Sequence, residues 1–402
     1  MVSLDVGTSS IKATLGEVGQ AKDVSILGIS QVPSLGLRKG NIVDIESTAK
    51  SIDTCLNDLE RLTGTPIDKA IIGFSGASVY ALNNHAVVAV GNPTYEITKD
   101  DKERVLQSAR NMALPPDKTI VQTIERQYIV DGYDGVKDPV GMVGSRLEVE
   151  VVIIIATTAA IQNLQRSINR INLDIDNLVY TPLLTAESVL TPTEKEMGVV
   201  IVDIGGGTTN VTVFEQGSMS TTTVLPVGGE FVTKDIAIIL RTSIEEANRV
   251  KERYGVASTE LAKTDVLIDI HNLQGSDVKQ VNQYMVAEII YARIEELAQL
   301  IYEELQVAGV IDKLPGGIVL SGGGAQLTGI VEVLEELLEL PVRLGIPENI
   351  RGVPTDFNKP QNAVVLGALN YKVNQLGSEV ELNYSQESLL DKIIYWFKDL
   401  FR

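Results

Sequence analysis

The sequence has one cysteine, Cys55, and two histidines, His85 and His271, in 402 residues. A lone thiol excludes an internal disulfide, and zinc-type Cys/His spacing is absent. Two histidines far apart in sequence argue against a Ser-His-Asp or histidine-metal centre. Basic residues are in the minority: 34 Lys and Arg against 53 Asp and Glu give a net charge of −19. A phosphate backbone repels such a surface, so no nucleic-acid partner is expected. An anionic membrane repels it too, unless a local segment overrides the mean. Aromatic residues make only 5% of the chain while β-branched residues are plentiful, which favours a sheet-rich α/β protein over an aromatic-rich sandwich. The longest apolar run, 149–161, is interrupted by Glu150, Thr157 and Thr158. It is too short to span a bilayer and reads as a buried strand. No signal peptide is visible, and the chain opens on Val2-Ser3-Leu4-Asp5 as a strand already under way, so a cytoplasmic protein is expected.

What is present is the balance of a globular protein, 44% hydrophobic and 22% charged, in a length that calls for about two to four lobes. Alternation predicts strands over 3–6 and 11–18 around a tight polar turn, and again over 199–204 and 210–215. Helical periodicity predicts helices over 47–63, 159–171, 232–254, 282–307 and 325–339, and an apolar helix over 363–371. Between about 83 and 158, strand-like pieces around a helix near 99–112 suggest a small inserted α+β domain. Residues 374–387 are polar and read as a flexible linker.

Three motifs carry chemistry. The first is Leu4-Asp5-Val6-Gly7-Thr8-Ser9-Ser10-Ile11-Lys12. The second, half a chain further on, is Val202-Asp203-Ile204-Gly205-Gly206-Gly207-Thr208-Thr209-Asn210. In each, a strand delivers an Asp at its end, and glycines let backbone N–H groups approach an anion. Ser and Thr hydroxyls add donors, and a second strand leads away. Either motif alone reads equally as a Gly-rich β-turn with a stabilising Asp. Two copies in equivalent contexts imply two related lobes with a cleft between them, clasping a triphosphate from both sides. Asp5 and Asp203 are then placed to hold Mg²⁺ through water, and Lys12 to add a point charge for a phosphate. The third motif, from Gly317-Ile318-Val319-Leu320 to Ser321-Gly322-Gly323-Gly324-Ala325, is a strand ending in three glycines before a helix. Bare backbone there can pack flat on an adenine-ribose unit, though a Gly triplet alone is equally a tight connection.

In this order the motifs resemble the actin, Hsp70 and sugar-kinase ATPase superfamily, with connecting helices near 182–190 and 363–370. Within it the sequence is similar to the FtsA family of bacterial cell-division proteins over essentially its whole length. The stretch from Tyr128-Ile129-Val130-Asp131-Gly132 through Lys137-Asp138-Pro139-Val140-Gly141-Met142 to Arg146-Leu147-Glu148 looks like that family's inserted subdomain 1C. The resemblance implies an actin-like (ribonuclease H-like) two-lobed ATPase fold with an inserted α+β subdomain. It divides the chain into 1A (1–82 and 159–196), 1C (83–158), 2A (197–232 and 300–350) and 2B (233–299). A return helix to 1A (351–373), a linker (374–387) and a terminal helix (388–402) complete it. It further implies ATP and Mg²⁺ as ligands, polymerisation and binding of the FtsZ C-terminal tail. Later division proteins would be recruited, on the inner face of the cell membrane at the division site. Carried over residue by residue, Asp5 and Asp203 lie by Mg²⁺. Gly7, Thr8, Ser9, Ser10 and Lys12, with Gly205, Gly206, Gly207, Thr208, Thr209 and Asn210, surround the phosphates. Gly322, Gly323 and Gly324 lie on the adenosine, and Lys251 contacts the ribose or base, or is an ordinary helix charge. Asn248 stands where relatives often have Glu. Arg293, beside Ile289 and Ile290 in the 2B lobe, is the candidate anchor for the FtsZ tail, or else an ordinary surface charge.

One departure bears on catalysis. Where many relatives carry Glu or Gln ahead of the proline of the first connecting helix, this chain has Thr181 in Val179-Tyr180-Thr181-Pro182. A Thr hydroxyl is short and cannot act as a carboxylate base, so slow hydrolysis at most is expected. The C-terminus places Leu389, Leu390, Ile393, Ile394, Trp396, Phe397, Leu400 and Phe401 on one face of a helix, with Asp391, Lys392, Tyr395, Lys398, Asp399 and Arg402 on the other. Its two readings are a helix docked on the body and an amphipathic helix lying in the membrane interface; the preceding linker and the only Trp favour the second. Other readings of the whole are a small-metabolite kinase of the same fold, which would need a base in the cleft, and a PilM-like pilus-assembly adaptor.

Overall fold

The computed structural model describes residues 1–19, 23–91, 94–273 and 278–384. Two sheets of like design form its two lobes. In the first, strands Val2–Val6 and Ser10–Val18 make an antiparallel hairpin, extended on one side by Val24–Pro33 and on the other by the parallel strands Lys69–Phe74 and Asp174–Tyr180. In the second, Val199–Ile204 and Thr209–Glu215 make the hairpin, Ser218–Leu225 continues it, and Ile318–Ser321 and Val342–Leu344 lie parallel on the far side. The registers match: Asp5 pairs with Lys12 in one hairpin, and Asp203 with Asn210 in the other. Helices cover both sheets, which is why their central strands read as near-continuous apolar runs. The apolar run of the sequence analysis lies instead in the inserted domain's sheet, and it too is buried on both faces. Strand Arg146–Thr157 turns Val149, Val151, Ile153 and Ile155 toward the inserted domain's own core, and Val152, Ile154 and Ala156 toward the core of the first lobe.

The insert is a four-stranded sheet, Val79–Ala89, Arg146–Thr157, Lys118–Val130 and Tyr133–Val136 in that order. Helix Lys99–Arg110 packs on it through Val105, Leu106 and Ala109. The helix starts at a capping box in which Thr98 and Asp101 each accept the other's backbone N–H. The insert also grips the second lobe. Arg126 meets Glu215 at 3.1 Å, and Lys137 donates to the Gln216 carbonyl, both at the turn after strand Thr209–Glu215.

Several boundaries differ from expectation. The 232–254 stretch is two helices, Gly229–Ile239 and Ile244–Tyr254, broken at Thr242-Ser243, where the Ser243 hydroxyl caps the second. The expected 325–339 helix begins only at Ile330, after a short 3-10 turn Gly324–Gln326 and the left-handed Gly329. The glycine triplet therefore does not open directly onto a helix. The irregular stretch of the second lobe contains a hairpin, Leu267–His271 with Val278–Asn282. The last helix, Ala363–Tyr384, runs on into residues read as linker. The amphipathic segment 388–402 lies outside the described residues. No helix among the described residues is long and apolar enough to cross a membrane.

Candidate functional site

The two hairpin tips meet, and a cleft of about 760 Å³ opens beside them, a size suited to a nucleotide-sized ligand. The tips are in close contact. A Cβ built on Gly206 would stand 1.9 Å from Ser9 Oγ, so only glycine fits there without displacing the Ser9 side chain. The first connecting helix, Thr181–Val189, and the start of Ala363–Tyr384 cross behind the junction, joined by a Ser188 Oγ bond to the Ala363 carbonyl at 2.8 Å.

The charges inside are few and poorly solvated. Asp203 is 7% exposed and Lys12 6%. Burial, with the Asp5 charge as the next cause, pushes the Asp203 carboxyl up to about 6, against the pull of Lys12 and the Thr185 hydroxyl. Burial also raises Asp5, against the charge of Lys12. Lys12 is lowered by burial and held up by Asp5 and Asp203; its ammonium donates to the Gln361 carbonyl. Two carboxylates facing one lysine leave a negative charge uncompensated. A divalent cation would neutralise it. No cluster of three or more His, Cys, Asp or Glu side chains suited to a metal exists among the described residues. An ion here would thus need oxygen ligands beyond the protein, as Mg²⁺ with phosphate does.

Most residues picked from the sequence converge on this cleft: Asp5, Gly7, Thr8, Ser9, Ser10, Lys12, Thr181, Asp203, Gly205, Gly206, Thr208, Asn210, Lys251 and Gly322, Gly323 and Gly324 all line it. The triplet divides its labour. Gly322 has φ 82°, and a Cβ on it would meet Asp203 Oδ1 at 2.4 Å, whereas Gly323 faces open space as a platform needs. Thr181 is 6% exposed, and its Oγ1 has no hydrogen-bond partner among the described residues. A buried orphan hydroxyl beside the cleft is a place for an ordered water. Lys251 donates to Thr233 Oγ1 at 2.8 Å and to the Gly229 carbonyl at 3.3 Å. Burial lowers it, with Glu252 and Glu230 opposing.

Two of the residues expected at the phosphates, Gly207 and Thr209, are not in the lining. Thr209 is fully buried and donates to the Val227 carbonyl at 2.8 Å, because strand alternation turns it away from its neighbour Thr208. Gly207 packs instead against Lys39 and Thr8. Arg293 also departs from expectation. Ile289 and Ile290 beside it are buried, so they form no open groove. Its guanidinium grips Asp235 at 2.6 Å and Glu296 at 2.5 Å, and it borders the cleft. The Asp235 bond is the largest cause that raises it. Glu187, near Thr181 in sequence, is held by Lys195 at 2.7 Å and Asn374 at 2.6 Å, a structural role.

Sequence reasoning missed the pair Gly228-Gly229. Here helix Gly229–Ile239 begins, and its Gly229 and Glu230 N–H groups bond the carbonyls of Gly205 and Gly206 at 2.9 Å each. The signal was two glycines immediately ahead of an apolar-periodic run. Gln31, Ser75, Glu252 and Gln361 also line the cleft without any motif to announce them; Ser75 Oγ donates to Asn210 Oδ1 at 2.6 Å.

Comparison with known proteins follows the same lines. A family model described as "Cell division protein FtsA" matches residues 200–367, and one described as "SHS2 domain inserted in FTSA" matches 76–155, the inserted sheet. The chain is 36% identical over 388 residues to the cell division protein FtsA of Pseudomonas aeruginosa, covering 96% of this chain and 93% of that protein. Among solved structures, a PilM-PilN type IV pilus biogenesis complex superposes with TM-score 0.67 at 17% identity, covering 92% of this chain and 98% of that one. MreB 5 of Spiroplasma citri bound to AMPPNP superposes with TM-score 0.55 at 16% identity, covering 95% and 98%. At such identities the two structures show the fold, which is actin-like.

Proposed function

Because the chain belongs to the FtsA family of cell division proteins, we propose that it is an ATP-binding, actin-like tether. It polymerises, holds the C-terminal tail of FtsZ, and fixes FtsZ filaments to the inner face of the cytoplasmic membrane, where later division proteins join. The observation that carries the nucleotide part is the convergence of two Asp-bearing hairpins on one cleft with an uncompensated negative charge. The hairpin N–H groups, with Ser9, Ser10 and Thr208, cradle the phosphates; Gly323 carries the adenosine; Lys251 borders it. Asp5 and Asp203 would hold Mg²⁺, and the ion would supply charge neutralisation for the phosphates.

Hydrolysis is slow in this reading, because Thr181 can position a water but cannot take its proton as a carboxylate would. Turnover of Mg-ATP, followed as phosphate release, should fall below roughly 1 per second, the low end of ordinary enzyme rates. A faster rate would mean that another cleft residue acts as the base.

The tether itself has a direct test. A labelled FtsZ tail peptide should sediment with liposomes only when the protein is present. Trp396→Glu, on the apolar face of the 388–402 segment, should leave peptide and protein together in the supernatant. Peptide that stays free while the protein sediments would remove FtsZ as the cargo. Wild-type protein that does not sediment at all would remove the membrane anchor. The tail is assigned to the 233–299 lobe by family alone. Arg293 is not offered as its anchor, since Asp235 and Glu296 already occupy it.

A further inference from the structure

A short hairpin of the first lobe, Leu37–Arg38 with Asn41–Ile42, turns through Lys39 and Gly40. Both have left-handed backbone, φ 50° and 72°. Such turns usually carry Asn-Gly, so a lysine here is a strained choice of the kind found at functional positions. The turn is tied to both phosphate hairpins at once. Gly40 N–H donates to Thr8 Oγ1 at 2.9 Å. The Lys39 Cα packs so closely on Gly207 that a Cβ there would be 2.8 Å from it. The Lys39 carbonyl, in turn, accepts from Ala77 N–H at 3.2 Å.

The Lys39 side chain crosses to the second lobe. Its ammonium lies 5.2 Å from the centroid of the Phe231 ring, on helix Gly229–Ile239. Lys234 stands 5.0 Å and Arg293 5.7 Å from the same ring. Arg293 is neutralised by Asp235 and Glu296. Neither Lys39 nor Lys234 has a carboxylate within 4.0 Å among the described residues. In a chain of net charge −19, two unpaired lysines from opposite lobes, gathered around one aromatic ring, form a local positive field.

We propose that Lys39 reads the terminal phosphate of the bound nucleotide, exchanging the Phe231 ring for that phosphate, so that the cleft distinguishes a nucleoside triphosphate from a diphosphate. The assignment rests on the reading of the cleft as a nucleotide site. An ammonium gains more from a charge-assisted bond to phosphate than from a ring face, and a diphosphate brings one charged group fewer to compete for it. Because the same contact spans the lobes, the exchange also releases the first lobe's turn from the second lobe's helix.

The test compares Mg-ATP and Mg-ADP affinities of the full chain by calorimetry, for the wild type, Lys39→Ala and Lys39→Gly. ATP affinity should fall roughly tenfold in both variants, the loss of one charge-assisted hydrogen bond, while ADP affinity stays within about twofold. Lys39→Gly removes the ammonium and at the same time relieves the left-handed strain. Agreement between the two variants therefore assigns the effect to the charge, and Lys39→Gly covers the case in which Lys39→Ala does not fold. Equal losses for both nucleotides, or no loss for either, would overturn the role of Lys39 and leave the site standing. A wild type that binds neither nucleotide would overturn the site and this assignment together.

Discussion

Replacing Gly206 by Val should abolish nucleotide binding, weakening ATP by about 100-fold or more, which is about 2.7 kcal/mol. The cause is local. The first added carbon would stand 1.9 Å from Ser9 Oγ and 3.1 Å from Ser9 Cβ, so the Ser9 hydroxyl must turn away and the tip around it must yield. A branched side chain would also cover the N–H groups meant for the phosphates. The fold should survive, because Gly206 lies at the cleft surface and belongs to none of the buried apolar clusters. Calorimetric titration with Mg-ATP, beside circular dichroism as the folding control, reads the result. Undiminished affinity in a folded variant would remove the cleft as the nucleotide site.

The second large effect is expected at Asp203 and has opposite signs for stability and binding. In the folded protein this carboxyl titrates near 6, above its ordinary value of 3.8. Between those values the native state keeps a proton that the unfolded chain has lost. Ionised Asp203 therefore costs stability, and the cost grows as pH rises from about 4 to about 6 and is complete above it. Asp203→Asn removes the charge and should stabilise the nucleotide-free protein at pH 8 by roughly 2 kcal/mol, a gain of about 2 °C in Tm for a chain of this size. The gain should vanish near pH 4, where the wild type is neutral there as well. The same variant should lose Mg²⁺-dependent ATP binding, as a site kept charged at the expense of the fold would. A variant no more stable than wild type at pH 8 would mean that the buried charge is better compensated than its surroundings suggest.

How much of this was legible in the sequence depends on how local each signal is. The hairpins, the glycine triplet and the insert announce themselves through tight turns and period-two strands, which need only a few residues to be recognised. The lining role of Thr208 against the buried role of Thr209 needed the exact strand phase, and one residue decides it. Arg293 was misplaced for a different reason. Helix Gln283–Ala308 buries Ile289, Ile290, Ile294 and Leu297, and its apolar positions go so far round that periodicity does not say which side meets the cleft. The break at Thr242-Ser243 was visible as a Ser cap ahead of Glu246, but the apolar residues on both sides masked it. Gln361 and Ser75 come from distant segments and carry no pattern; only the folded chain brings them to the site.

The matched registers of the two hairpins have a consequence for direction. A cleft between two copies of one design has a near two-fold axis, and a nucleotide has none. On a perfectly symmetric site it could lie either way round with equal energy. Here the copies differ where it counts: opposite Asp5 stands Lys12, opposite Asp203 stands Asn210. Beyond the parallel neighbour strand, the second lobe offers the open Gly323. At the equivalent place in the first lobe, two residues past the partner of Asp5, stands Ser75, whose side chain is already bonded to Asn210 Oδ1. The duplication builds the clasp, and these few broken equivalences give the ligand a head and a tail.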